Sequence, residues 1–223
     1  MELLTQLMGE MLLCGLLGEL VYQPPNETRL QSLYAEGVFT ESPLGDDQEV
    51  VRAGLARLQA WGSEHWAVDP VQALADLKAD HLRLFVGLGK VLAPPWESVY
   101  FSDEQQLFQE QTLKVRAWYR KYGLQIEHLH NEPDDHLGME LGFLAHLAQF
   151  GLQALAHGDT EALDQLLSDQ AAFLAEHPLA WTPKWCDLVE QHANTDFYRG
   201  IALLIRGTLH EVAQIAPVAP VSQ

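Results

Sequence analysis

The apolar positions of this chain recur at helical spacing almost from end to end. Between Met1 and Tyr22, Leu3, Leu4, Met8, Met11, Leu12, Leu16 and Leu20 fall on or near one face, and Gln23-Pro24-Pro25 ends the run. A short helix follows Asn26 and carries Leu30 and Leu33 towards Gly37. Residues 38–47 lapse into Gly, Pro, Ser and Asp and read as a loop. A third helix covers 48–61 with Val51, Leu55 and Leu58 inward, and Asp69-Pro70 opens a fourth that carries Leu74, Leu77, Leu82 and Phe85 to a stop at Gly87. Residues 87–100 break the pattern completely. Ser102 and Asp103 then cap a fifth helix that runs to Tyr122, holds the dense basic patch of Lys114, Arg116, Arg120 and Lys121, and closes at Gly123. Later helices open at Asp159, Pro178 and Asn194 and reach Glu176, Gln191 and Ile215; the tail 216–223, with Pro217 and Pro220, reads as frayed.

The segment most able to hold the others in place is 131–150. Asn131 or Glu132 stands at a cap position, Pro133 suits the first helical position where its missing N–H is no loss, and Asp134 and Asp135 oppose the positive end of the dipole. Leu137, Leu141, Leu144, Leu147 and Phe150 follow at three- and four-residue steps, with no breaker before Gly151. A buried central helix is expected, with Asp135 and His136 at its entrance. Nowhere do apolar and polar residues alternate long enough to demand a sheet. The fold class is therefore all-α, a compact irregular bundle of about eight to twelve helices, with residues 1–215 as a single domain and 216–223 as a flexible tail.

A hydrophobic content of 48% in 223 residues supports a sizeable core. Glu2, Glu10 and Glu19 interrupt the apolar start and the first basic residue is Arg29, so neither a secretory signal nor a membrane span is expected. Cys14 and Cys186 form no CxxC pair, which argues against a disulfide framework and a thiolate metal site and favours a cytoplasmic protein. The balance of 31 acidic to 13 basic side chains, net −18, repels a phosphate backbone and excludes nucleic acid as a partner. Such a charge serves solubility and equally attracts a basic peptide.

Three stretches are not explained by core packing. Asp80 to Gly87 ends a helix with Leu84 and Phe85; Pro94-Pro95-Trp96-Glu97-Ser98-Val99-Tyr100 is an extended loop displaying two aromatic residues; and residues 131–136 form the acidic helix start. A tryptophan beside two prolines is held at little entropic cost, as peptide-binding anchors are, although the same ring could simply plug the bundle.

Together these stretches resemble the TorD/DmsD family of redox-enzyme maturation chaperones, and its DmsD-like members in particular. The motifs are Leu84-Phe85-Val86-Gly87, Pro94-Pro95-Trp96 and Glu132-Pro133-Asp134-Asp135-His136, in the family's order, with Phe197-Tyr198-Arg199 before the last helix as a fourth likeness. The resemblance covers most of the chain from about Asp80 onward. It implies a non-enzymatic, cofactor-free cytoplasmic chaperone that binds the twin-arginine leader of a molybdopterin-containing oxidoreductase before Tat export, with the Tat translocon as a further partner. Leu84, Phe85, Pro95, Trp96, Asp135 and His136 are the residues the family would assign to leader binding. His81 departs from the aromatic residue often found at that position.

The residues agree with that implication. Two guanidinium groups followed by an apolar segment require forked carboxylate acceptors beside an apolar groove. Asp134, Asp135, Glu132 and Glu97 are candidates for the first requirement, and Leu84, Phe85, Pro95, Trp96 and Tyr100 for the second. His136 is suited either to peptide contact or to a hydrogen bond that fixes the 94–100 loop. The competing reading is a metal-binding protein or enzyme built on Glu127, His128, His130, Glu132, Asp135 and His136. A di-iron bundle needs two Glu-x-x-His units and this chain has one, Glu127 with His130; HExxH, GxSxG and a phosphate loop are missing. Guanine nucleotide, linked to some family members, has no cradle here. Monomer and domain-swapped dimer both remain open, with residues 38–47 and 123–131 as the possible hinges.

Overall fold

The computed structural model describes residues 3–87, 89–101, 110–124 and 133–215, and every regular element among them is helical. The α-helices are α1 (Leu3–Tyr22), α2 (Glu27–Ala35), α3 (Glu49–Trp61), α4 (Pro70–His81), α5 (Ser98–Phe101), α6 (Glu110–Lys121), α7 (Leu137–His157), α8 (Thr160–Glu176), α9 (Pro178–His192) and α10 (Asp196–Ile215). Two π turns, Gly62–Trp66 and Leu82–Val86, extend α3 and α4. The all-helical expectation holds, and most helix starts fall where the capping chemistry puts them. Asn26, Asp69 and Asp159 each accept the backbone N–H of the residue three further on, Arg29, Gln72 and Ala162. The cap expected at Ser102 and Asp103 and the tail 216–223 lie outside the described residues.

The bundle is organised around α1 and α7. α7 is buried through Leu137, Leu141, Leu144 and Leu147, and α1 through Leu7, Cys14, Leu17 and Val21. Their backbones meet so closely that a Cβ on Gly18 would stand 2.7 Å from the Gly138 carbonyl oxygen, and one on Gly138 would stand 2.7 Å from that of Gly18. Gly151 does not break α7. It sits inside the helix, where a Cβ would approach Leu7 Cδ1 at 3.0 Å, and the helix ends at Gly158 in the left-handed region, φ +68°. α10 is buried along its length through Ile201, Leu204, Ile205 and Val212 and packs on α3 and α9. α1 is long and apolar enough to cross a membrane, yet half of that apolar window is buried within the bundle.

One expectation about α7 is corrected. The helix begins at Leu137 rather than at Pro133, with His136 as its N-cap: the ring Nδ1 accepts the Gly138 N–H at 3.0 Å. The reason is tertiary. His136 pairs with Trp96 in an isolated antiparallel bridge, and the Leu137 N–H donates to the Pro95 carbonyl at 2.7 Å, so the backbone is held extended just where a helix could have started.

Candidate peptide-binding site

The chain folds the three sequence stretches into one junction. The π turn places Leu84 and Phe85 inward, and the Leu84 carbonyl accepts the Ala93 N–H at 2.9 Å, which turns the chain back over the turn. Residues 94–97 then run beside 135–137: the Glu97 N–H donates to the Asp135 carbonyl at 2.9 Å and the Tyr100 hydroxyl to the Pro94 carbonyl at 2.9 Å. The Trp96 ring meets the His136 ring edge-on, centroids 5.8 Å apart, and the Tyr22 ring at the end of α1 meets the His136 ring edge-on at 5.0 Å. The aromatic loop and the acidic helix start are thus bonded directly to each other rather than facing across a cleft.

Most of the candidate side chains are interior. Leu84 and Asp135 have no exposed surface, Phe85 is 2% exposed and His136 5%. Pro95 is buried too, while Trp96 and Tyr100 are half-buried. Glu132 lies outside the described residues. Phe85 stacks on Trp185 with centroids 5.7 Å apart and meets Tyr198 at 5.1 Å, so the family-like Phe197-Tyr198 pair joins the same junction. His81 packs there too, its Nδ1 2.9 Å from the Tyr198 hydroxyl. The departure at position 81 therefore falls in the core and keeps a flat ring where the family often has an aromatic one.

The carboxylates expected to receive arginine are engaged within the fold. Asp135 accepts the Ser98 N–H at 2.7 Å and the Thr112 hydroxyl at 2.8 Å. Asp134, 1% exposed, is held by the forked guanidinium of Arg116, with Nε at 2.5 Å and Nη2 at 3.1 Å, while its carbonyl accepts the Tyr119 hydroxyl. That is the bidentate geometry anticipated for a bound peptide, supplied by the chain's own α6. Glu97 is buried against His177, Oε2 to Nδ1 2.9 Å. Burial, and to a lesser degree the charges of Glu97 and Asp135, hold the Glu140 carboxyl well above the ordinary range, and its Oε2 accepts the Trp181 indole N–H at 3.1 Å. Burial pushes His136 down to about 3, which keeps the ring neutral, and the Gly138 N–H selects the tautomer in which Nδ1 accepts and caps α7.

The sequence reading missed Thr112, Arg116, Glu140, His177 and Trp181. A cue existed for one of them: Trp181 and Trp185 stand four residues apart and share a helix face. The others are polar residues whose partners lie far from them in sequence, Asp135 for Thr112, Asp134 for Arg116, Trp181 for Glu140 and Glu97 for His177. Among the described residues no group of three His, Cys, Asp or Glu side chains is placed to hold a metal ion, and residues 127–132 of the histidine-rich run lie outside them.

The molecule is a helical bundle whose aromatic loop is joined to a buried acidic turn, with two aromatic rings half-exposed at its edge. The family model described as nitrate reductase delta subunit matches residues 45–187. A Tat proofreading chaperone DmsD of Salmonella typhi is 34% identical over 167 residues, covering 71% of this chain and 75% of that one. A chaperone protein TorD of Actinobacillus pleuropneumoniae serotype 3 is 31% identical over 194 residues, covering 83% and 85%. The chain belongs to the TorD/DmsD family of chaperones, whose members are chaperones rather than enzymes.

Proposed function

We propose that the protein is a cytoplasmic chaperone that binds the twin-arginine leader of a molybdopterin-containing oxidoreductase and holds the enzyme back from Tat export until its cofactor is inserted. The names of its relatives support the chaperone role, and the convergence of the three motif stretches on one junction supports the location. The leader meets the half-exposed Trp96 and Tyr100. Leu84, Phe85, Pro95, Asp135 and His136 act beneath them as positioning residues: Asp135 pins Ser98 at the start of α5, and His136 backs the Trp96 ring. Glu132 is assigned to the leader's arginines by its carboxylate and its place in the acidic stretch before α7 alone. The observation that carries this reading is the Trp96–His136 bridge, which joins the loop and the helix start into one surface.

A releasable complex of micromolar affinity corresponds to about 8 kcal/mol, and an aromatic anchor contributes roughly 2–4 kcal/mol of that. Calorimetric titration with a synthetic twin-arginine leader tests the reading. Trp96→Ala and Tyr100→Ala should each weaken binding by about 30-fold or more, measured well below the melting temperature of each variant. Wild-type affinity in both would move the site elsewhere.

A further inference from the structure

α1 has a second apolar face that the bundle does not cover. Leu4, Met8 and Leu12 recur at four-residue steps and are 50%, 46% and 58% exposed, and the half-buried Leu16 continues the row. Over its last turns this stripe opens into a cavity of about 670 Å³ between α1, the end of α2 and residues 37–43. Leu33, Phe39, Leu55 and Leu204 form its floor, and Glu19, Glu36 and Glu41 stand on its rim. Arg29 is paired with Glu19 at 2.7 Å, whereas Glu36 and Glu41 enter no ion pair among the described residues. Scattered exposed leucines need no explanation; a continuous row leading into an apolar cavity of ligand size does.

We propose that this groove takes the apolar segment of the leader, lying as a helix along Leu4 to Leu16 with its arginine-bearing end against Glu36 and Glu41. The proposal rests on the leader-binding reading above and extends that site along α1. The stripe spans about 18 Å at helical rise, which an apolar helix of about 12 residues matches. Charge chooses the occupant. The rim is acidic and the chain carries −18, so a second copy would set acid against acid, whereas an apolar segment with basic residues at one end finds both of its parts complemented. Continuity joins the groove to the junction: Glu19, on the rim, lies one turn before Tyr22, whose ring packs on His136 beside Trp96, so the Glu19 end of the groove adjoins the junction.

Titrations with two peptides test this: the full leader, and a leader keeping its arginines but with the apolar segment replaced by Gly and Ser. The double variant Met8→Gln/Leu12→Gln, at exposed positions, should melt as wild type, bind the full leader about tenfold or more weakly, and bind the replaced peptide as wild type does. Glu36→Gln/Glu41→Gln should weaken the full leader by about fivefold at low salt, with the difference shrinking as salt is added. If both double variants bind the full leader normally while Trp96→Ala loses it, the groove is refuted and the leader reading stands. If the wild type does not bind the leader, both fail. Light scattering that shows a wild-type dimer broken by Met8→Gln/Leu12→Gln, with leader affinity unchanged, would assign the face to a second copy and overturn the proposal.

Discussion

Replacing Asp135 by Ala separates a positioning residue from a ligand contact. The side chain has no exposed surface and accepts two hydrogen bonds, from the Ser98 N–H at 2.7 Å and the Thr112 hydroxyl at 2.8 Å. Hydrogen bonds to a charged acceptor contribute about 1.5–3 kcal/mol each, and the alanine variant also leaves a buried N–H without a partner. The loss should be about 3–5 kcal/mol. For a chain of this length each kcal/mol moves the melting temperature by about 2–4 °C, so Asp135→Ala should melt about 6–20 °C below wild type. Asp135→Asn keeps one carbonyl acceptor and turns an amide N–H₂ towards the other donor. The Thr112 hydroxyl can rotate to accept that group, so the loss should be smaller. Thermal melts followed by circular dichroism, with leader titrations beside them, measure both. An Asp135→Ala protein that melts within about 2 °C of wild type yet fails to bind the leader would refute the reasoning, because the carboxylate would then be available to the peptide rather than built into the fold.

The α1–α7 contact predicts that Gly138→Ala is costly, since the new methyl would stand 2.7 Å from both the Gly18 carbonyl oxygen and Tyr22 Cβ; overpacking of about 1–3 kcal/mol should appear in the melt, together with weaker leader binding because Tyr22 backs His136. Stability should also depend on pH in two opposed ways. Burial lowers His136 to about 3 and His81 to about 4, below the unfolded value of 6.5, so stability should fall as the pH drops below about 6.5 towards those values. Glu10, raised by burial to about 8 from 4.5, contributes stability that is complete below about 4.5 and is lost as the pH rises to about 8, at up to about 1.4 kcal/mol per pH unit. Denaturant titrations across this range should show Glu10→Gln flattening the alkaline decline and leaving the acid one in place.

The helices were legible because their ends are chemical. Asn26, Asp69-Pro70 and Asp159 carry capping side chains, and Gly87 and Gly123 take up the positive-φ backbone that stops a helix. α7 shows where local signals mislead. Pro133-Asp134-Asp135 has the composition of a first turn, but the bridge to Trp96 comes from a loop 40 residues earlier and outweighs it. Gly151 looked like a stop and is instead the clearance that lets Leu7 approach. The junction's membership was legible from three motifs, but its burial was not. An aspartate in a turn reads as solvated unless its partner is known, and Arg116 and Thr112 lie on α6 with nothing near them in sequence to announce the pairing. Exposure is likewise a property of the assembled bundle: the stripe Leu4-Met8-Leu12 looks the same in sequence as the buried Leu7-Cys14-Leu17 on the same helix.

Amide hydrogen exchange with and without a saturating twin-arginine leader tests the location of the site most directly. The account predicts slower exchange at the backbone amides of residues 96–101 and 136–139, where the loop and the start of α7 are joined. A leader that binds while leaving those amides unchanged would contradict it.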